Sequence, residues 1–148
     1  MRVSVIGGST VDDETYEEAR ELGRLLARRG HTVVCGGYGG VMEAACRGAK
    51  EKDGRTVGVL SGEDTDEAND YVDVPVATNM GHARNALVVL NGENVVAVDG
   101  ASGTLSEIGH ALSLGKEVIG IETHDVDGVT DVEAPHEAVE VLEGHSDS

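Results

Sequence analysis

The chain has 148 residues, and a domain of that size buries roughly 68–70% of the surface its unfolded form exposes, so one domain spanning 1–148 is expected. Acidic residues number 28 against 11 basic ones, a formal charge of −17. That charge argues against nonspecific binding to nucleic acid or an anionic membrane, because phosphate contacts need a basic surface.

Arg2–Ile6 is an apolar run of strand length that ends in Gly7-Gly8-Ser9-Thr10. Asp12 and Asp13 open a helix in which Tyr16, Ala19, Leu22, Leu25 and Leu26 recur at helical spacing, with Gly30 as its stop. His31–Cys35 reads as a second strand, leading through Gly36-Gly37-Tyr38-Gly39-Gly40 into an alanine-rich helix over Val41–Lys50. Thr56–Leu60 is a third strand and the polar Gly62–Asp70 a loop. Tyr71–Ala77 is a short extended piece that Pro75 confines to an edge or a loop. Thr78 or Asn79 is placed to cap a helix reaching about Leu90 that carries His82, Arg84 and Asn85. Val95–Val98 is a β-branched strand broken at Asp99-Gly100, and Thr104 opens the next helical pattern. Glu117–Ile121 and Val129–Val132 are strands on either side of a His124–Gly128 loop. Pro135 suits the first turn of a last helix over Ala134–Leu142. Strands alternate with helices and are apolar almost throughout, which predicts an α/β fold. The expected form is a Rossmann-like doubly wound parallel sheet in three α/β/α layers.

In such a sheet, ligands bind at the carboxyl ends of the strands, near the point where strand order reverses. Three glycine turns fall at those ends: Gly7-Gly8-Ser9, Gly36–Gly40 and Gly100–Thr104. A strand that feeds a helix through glycine leaves unpaired N–H groups, and with the helix dipole behind them these favour an anion. A phosphate-bearing ligand is therefore expected against Gly8, Ser9, Gly36, Gly37, Gly39, Gly40, Gly100, Ser102, Gly103 and Thr104. Gly36, Gly39 and Glu43 repeat the spacing of Gly100, Gly103 and Glu107. The dinucleotide fingerprint fails because Met42 stands where its last glycine belongs, and no segment supplies a P-loop.

Arg84 offers a planar fork to a phosphate or carboxylate, with Asn85 beside it; the plainer alternative is a salt bridge to a nearby acid. Glu107 puts a carboxylate where a phosphate would otherwise be welcome, either as a reacting group or as a complement to the helix dipole. His82 and His110 lack a compact ligand spacing, so neither a metal nor a cofactor is expected. Cys35 and Cys46 do not form a disulfide framework, and Cys35 reads as a buried small hydrophobe.

The acidic residues are dispersed, lysine is scarce, and Phe and Trp are absent, a pattern that points to adaptation to high salt; an ordinary acidic cytosolic protein is the alternative. The opening segment has no basic, apolar signal form, and no apolar run approaches the roughly 18 residues of a membrane span, so a soluble, cytoplasmic protein is expected.

Over nearly its whole length the chain resembles the Lonely Guy (LOG) family, often labelled lysine decarboxylase-like. The resemblance rests on Gly7-Gly8-Ser9, Gly36-Gly37-Tyr38-Gly39-Gly40-Val41-Met42, Arg84-Asn85 and Gly100-x-x-Gly103-Thr104-x-x-Glu107. The wider Rossmann-like superfamily includes the DNA-processing protein A domain. The resemblance implies phosphoribohydrolase activity, cleaving a nucleoside 5′-monophosphate to free base and ribose 5-phosphate. Gly103 and Thr104 would hold the phosphate, Glu107 would lie near the anomeric carbon, and Arg84 would orient the substrate. It also implies a homodimer paired through helices flanking the site. Asp99, Ala101 and Asn85 depart from the LOG pattern of proline, glycine and lysine at those positions, and Glu43 stands where a glycine is expected. These departures look closer to a sister branch that includes molybdenum cofactor carrier proteins, whose phosphate-bearing pterin is bound and not cleaved.

Overall fold

The computed structural model describes residues 1–144. Among them, strands β1 (Arg2–Gly7), β2 (Thr32–Cys35), β3 (Thr56–Leu60), β4 (Val74–Ala77), β5 (Asn94–Val98), β6 (Val118–Ile121) and β7 (Val129–Val132) form one sheet. Their order is β4-β3-β2-β1-β5-β6-β7, with every neighbouring pair parallel. The chain winds outward from β1 to β4, returns, and continues outward from β5 to β7. Strand order therefore reverses between β1 and β5, whose carboxyl ends run into Gly7-Gly8-Ser9 and Asp99-Gly100.

Alternation along the strands separates two apolar layers. Val3 and Val5 of β1 face helices α1 (Asp13–Arg28), α2 (Val41–Glu51) and α5 (Pro135–Gly144), with Leu22, Leu26, Ala45 and Leu142 in that core. Ile6 of β1, Val34 of β2 and Val95 of β5 face the other way, onto Val88 and Val89 of α3 (Asn85–Leu90) and Ile108 and Ala111 of α4 (Ser102–Ser113). The three-layer doubly wound sheet is the architecture expected from the sequence.

Local signals explain most boundaries. Asp12 caps α1 by accepting the Thr15 N–H at 2.8 Å. Gly30, at φ +78, turns the chain out of that helix while the His31 N–H reaches back to the Leu26 carbonyl at 3.0 Å. Pro75 lies in β4, the edge strand, where a missing N–H is tolerated. One expectation needs correction: neither Thr78 nor Asn79 caps a helix. Thr78 Oγ1 donates to the Leu60 carbonyl at 2.7 Å, and Asn79 takes φ +53, so both belong to the turn leaving β4. A 3₁₀ turn over Gly81–Arg84 follows, and α3 begins only at Asn85. A second correction is smaller: α4 begins at Ser102, two residues before Thr104.

Candidate functional site

At the switch point, the ends of β1 and β5 and the start of α4 surround a cavity of about 260 Å³. Gly8, Ser9, Arg84, Asn85, Ser102, Gly103, Thr104 and Glu107 all line it. An adjoining cavity of about 330 Å³ shares Ser9, Met42, His82 and Arg84 with the first and adds Tyr38 and Ser61. The two form one bent cleft.

The inner compartment sets the start of α4 beside Arg84 and Glu107. Ala101, the residue at the N-cap of α4, has extended backbone (φ −120, ψ −167) and no side-chain oxygen to satisfy the first turn. The backbone at Ser102, Gly103 and Thr104 therefore opens towards the cavity without a side-chain cap. Thr104 Oγ1 is turned back, accepting the Ala101 N–H at 3.3 Å, which steadies the turn. From the outside, His124 Nε2 donates to the Ala101 carbonyl at 2.9 Å. A Cβ on Gly100 would approach that ring to 3.0 Å, so the missing side chain there is what admits His124.

Arg84 enters the cleft from the 3₁₀ turn before α3. Its Nη1 donates to Asn85 Oδ1, and its guanidinium lies 5.6 Å from the centroid of the Tyr38 ring. Its Nε is buried without an acceptor among the described residues. The Tyr38 ring is itself pinned: its hydroxyl accepts the N–H groups of Ser61 and Gly62 at 3.1 and 3.2 Å and shares a hydrogen bond with Ser61 Oγ at 3.1 Å. Gly36 lies under the arginine; a Cβ there would meet Arg84 Nη2 at 2.8 Å and Met42 Sδ at 2.6 Å.

Glu107 stands one turn into α4, only 7% exposed. Burial pushes its pKa up to about 7, against the opposing pull of the Arg84 charge. A group poised near neutrality inside a cleft is a marked feature of a functional site.

The remaining glycines work differently. Gly36, Gly37, Gly39 and Gly40 do not line either cavity. Gly40 is the hinge between turns: it takes φ +62, and a Cβ there would strike the Gly8 carbonyl oxygen at 2.2 Å, while the Val41 N–H donates to that same oxygen at 3.0 Å. This turn holds Gly8 and Ser9 in position. The repeat of spacing between Glu43 and Glu107 does not extend to their surroundings, because Glu43 accepts the Tyr16 hydroxyl at 3.0 Å and lines neither cavity. His110 also lies outside the cleft. Among the described residues, no group of three His, Cys, Asp or Glu side chains is placed to hold a metal ion.

Sequence reasoning missed Tyr38 and Ser61 as cleft residues, and His124 as a support of the turn. Tyr38 was visible inside a glycine turn, where a large side chain has little packing reason to be. Ser61 and His124 carry no local signal, since only the parallel order of strands brings their loops to the same edge.

Comparison with known proteins agrees with this fold. A family model described as SLOG cluster4 matches residues 1–146. A protein of Archaeoglobus fulgidus is 44% identical over 140 residues, covering 94% of this chain and 92% of its own. The molybdenum cofactor binding protein of the phototrophic bacterium Rippkaea orientalis has a similar structure, with a TM-score of 0.93 and 31% identity over 98% of this chain and 96% of that one. The molybdenum cofactor carrier protein of Chlamydomonas reinhardtii superposes at a TM-score of 0.91 with 31% identity, over 99% of this chain and 98% of that one. DNA processing protein A of Helicobacter pylori, at 17% identity and a TM-score of 0.74 over 98% of this chain and 81% of that one, shares the fold. The resemblance seen in the glycine turns is thus shown at the level of the whole chain, which belongs to the SLOG cluster4 family.

Proposed function

We propose that this protein binds and carries a small phosphate-bearing ligand of the molybdopterin type without cleaving it. The observation that carries this reading is the uncapped first turn of α4, opening into a cleft beside Arg84. Backbone donors, the helix dipole and a guanidinium converge on one anion-sized compartment. The adjoining compartment, with Met42, the pinned Tyr38 ring, Ser61 and His82, suits a flat polar ring attached to that phosphate. The likeness to a molybdenum cofactor binding protein and a molybdenum cofactor carrier protein supports the same ligand class.

Glu107 favours a second reading, hydrolysis of the N-glycosidic bond of a nucleoside 5′-monophosphate. A carboxylate near the anomeric carbon stabilises positive charge developing there, and it must be ionised to do so. With the pKa near 7, that form dominates only on the alkaline side. Turnover by this route therefore rises as pH passes through about 7 and disappears in Glu107→Gln.

The two readings separate in one experiment. The protein is incubated with AMP and related monophosphates, its melting is followed, and free base and ribose 5-phosphate are assayed. Carriage predicts a rise in melting temperature with phosphate-bearing ligands and no product. Product that depends on Glu107 replaces it with the hydrolase, and unchanged melting with every ligand refutes both.

Among the described residues, no helix is long and apolar enough to cross a membrane. A cytoplasmic location, a single domain, a homodimer paired through site-flanking helices and a high-salt habitat complete the proposal. Sizing at high salt tests the dimer, which monomeric elution refutes.

A further inference from the structure

Behind the cleft floor lie two thiols with no role in binding. Cys35 closes β2 and Cys46 sits on the buried face of α2; both are free, both are fully buried, and their Sγ atoms are 3.4 Å apart. The pair is joined to the site wall on both sides. Cys35 Sγ accepts the Gly37 N–H at 3.3 Å, and Gly36 between them abuts Arg84 and Met42. Cys46 follows Met42 by one helical turn, and Met42 lines both compartments of the cleft.

We propose that Cys35 and Cys46 form a reversible dithiol–disulfide pair, a redox modification site whose closure tightens the wall of the cleft. The two thiols are unequal. The hydrogen bond from Cys46 holds the Cys35 thiol below its ordinary range, helped by the Gly37 N–H and the Arg84 charge and opposed by burial. Donating that bond, together with burial, pushes the Cys46 thiol well up. The geometry agrees: the Gly37 N–H points at Cys35 Sγ and would stabilise a thiolate there, which makes Cys35 the nucleophile and Cys46 the resolving thiol.

With a peroxide as oxidant, the Cys35 thiolate attacks one peroxide oxygen. The O–O bond breaks, hydroxide leaves, and Cys35 becomes a sulfenic acid. Cys46 loses its proton and attacks that sulfur, the S–O bond breaks, and water leaves with the disulfide formed. Two electrons pass from the thiols to the peroxide. A small-molecule dithiol reverses the reaction by exchange, returning two thiols and leaving as its own disulfide. Closure shortens 3.4 Å to the roughly 2.05 Å of an S–S bond and draws α2 towards the end of β2. Both sulfurs are fully buried, which excludes large disulfide oxidants and leaves a small peroxide as the oxidant.

The test treats the folded protein with hydrogen peroxide, denatures it, labels remaining thiols with a maleimide and weighs the intact chain. The expected product lacks both maleimide additions, is lighter than the untreated chain by two hydrogens, and returns to two labelled thiols after dithiothreitol. Cys46→Ala, which removes the resolving thiol, gives no such product. Two labelled thiols at peroxide levels that oxidise the unfolded chain overturn the proposal, as does a disulfide found only between chains. Hydrogen exchange supplies a second readout: closure slows exchange over residues 36–46, and an unchanged rate there overturns the link to the cleft wall. Neither readout involves a ligand, so the outcome is independent of the proposed carrier function.

Discussion

Glu107 sits where a carboxylate is awkward, 7% exposed beside an uncapped helix start, and its raised pKa of about 7 converts directly into a dependence of stability on pH. The folded state holds the proton more tightly than the unfolded chain, whose glutamate titrates near 4.5. This contribution is fully present below about 4.5 and is lost as pH rises through 7. Glu107→Gln therefore melts higher than the parent at pH 8, by up to about 3 kcal/mol of stability, and the advantage fades in acid. Thermal melts across that range check it, and a difference independent of pH contradicts it. Arg84 is the complementary case. Arg84→Ala removes the cleft's guanidinium and weakens phosphate-ligand binding by about 2 kcal/mol, roughly thirtyfold. Titration calorimetry reads that loss, and unchanged affinity places the ligand elsewhere.

Among the elements, the start of α4 sets stability against binding. Ala101 has the extended backbone of an N-cap but not the side chain. Ala101→Asp supplies the missing acceptor and stabilises the helix by about 1 kcal/mol. The same carboxylate occupies the anion compartment, so ligand affinity falls while the melting temperature rises. A variant in which both move together contradicts the assignment of that compartment. Gly40 tests the turn that carries Gly8 and Ser9: at φ +62, with the Gly8 carbonyl 2.2 Å from any Cβ, Gly40→Ala destabilises by about 3 kcal/mol in urea unfolding.

The elements also show what sequence can and cannot reveal. The apolar strands, the Asp12 cap and the glycine turns are local signals, and they place the sheet and the turns at its carboxyl edge. Arg84 and Asn85 lie at element ends and Glu107 in the first half of α4, and the sheet topology brings all three to the cavity at the switch point. Thr78, which the sequence offers as a helix cap, is tied instead to the end of β3 through the Leu60 carbonyl, a tertiary contact with no sequence period. Likewise, Glu43 and Glu107 share a spacing but not an environment, since Tyr16 on a different helix takes Glu43.

Across the whole molecule, a charge of −17 works against compaction through self-repulsion. Within this surface the inner compartment is a local exception, made by a helix terminus and one guanidinium. Screening matters beyond about 10 Å at 0.1 M salt, so self-repulsion weakens as salt rises while the sheltered site is less affected. Melting temperature therefore increases from low to molar potassium chloride, and a flat or falling dependence contradicts adaptation to high salt. Molybdenum cofactor released from a molybdoenzyme is mixed with the protein under exclusion of oxygen, and molybdenum is measured in the protein fraction after gel filtration. Carriage in the cleft requires molybdenum to elute with the native chain and not with Arg84→Ala; native fractions without molybdenum, or equal amounts with both proteins, contradict it.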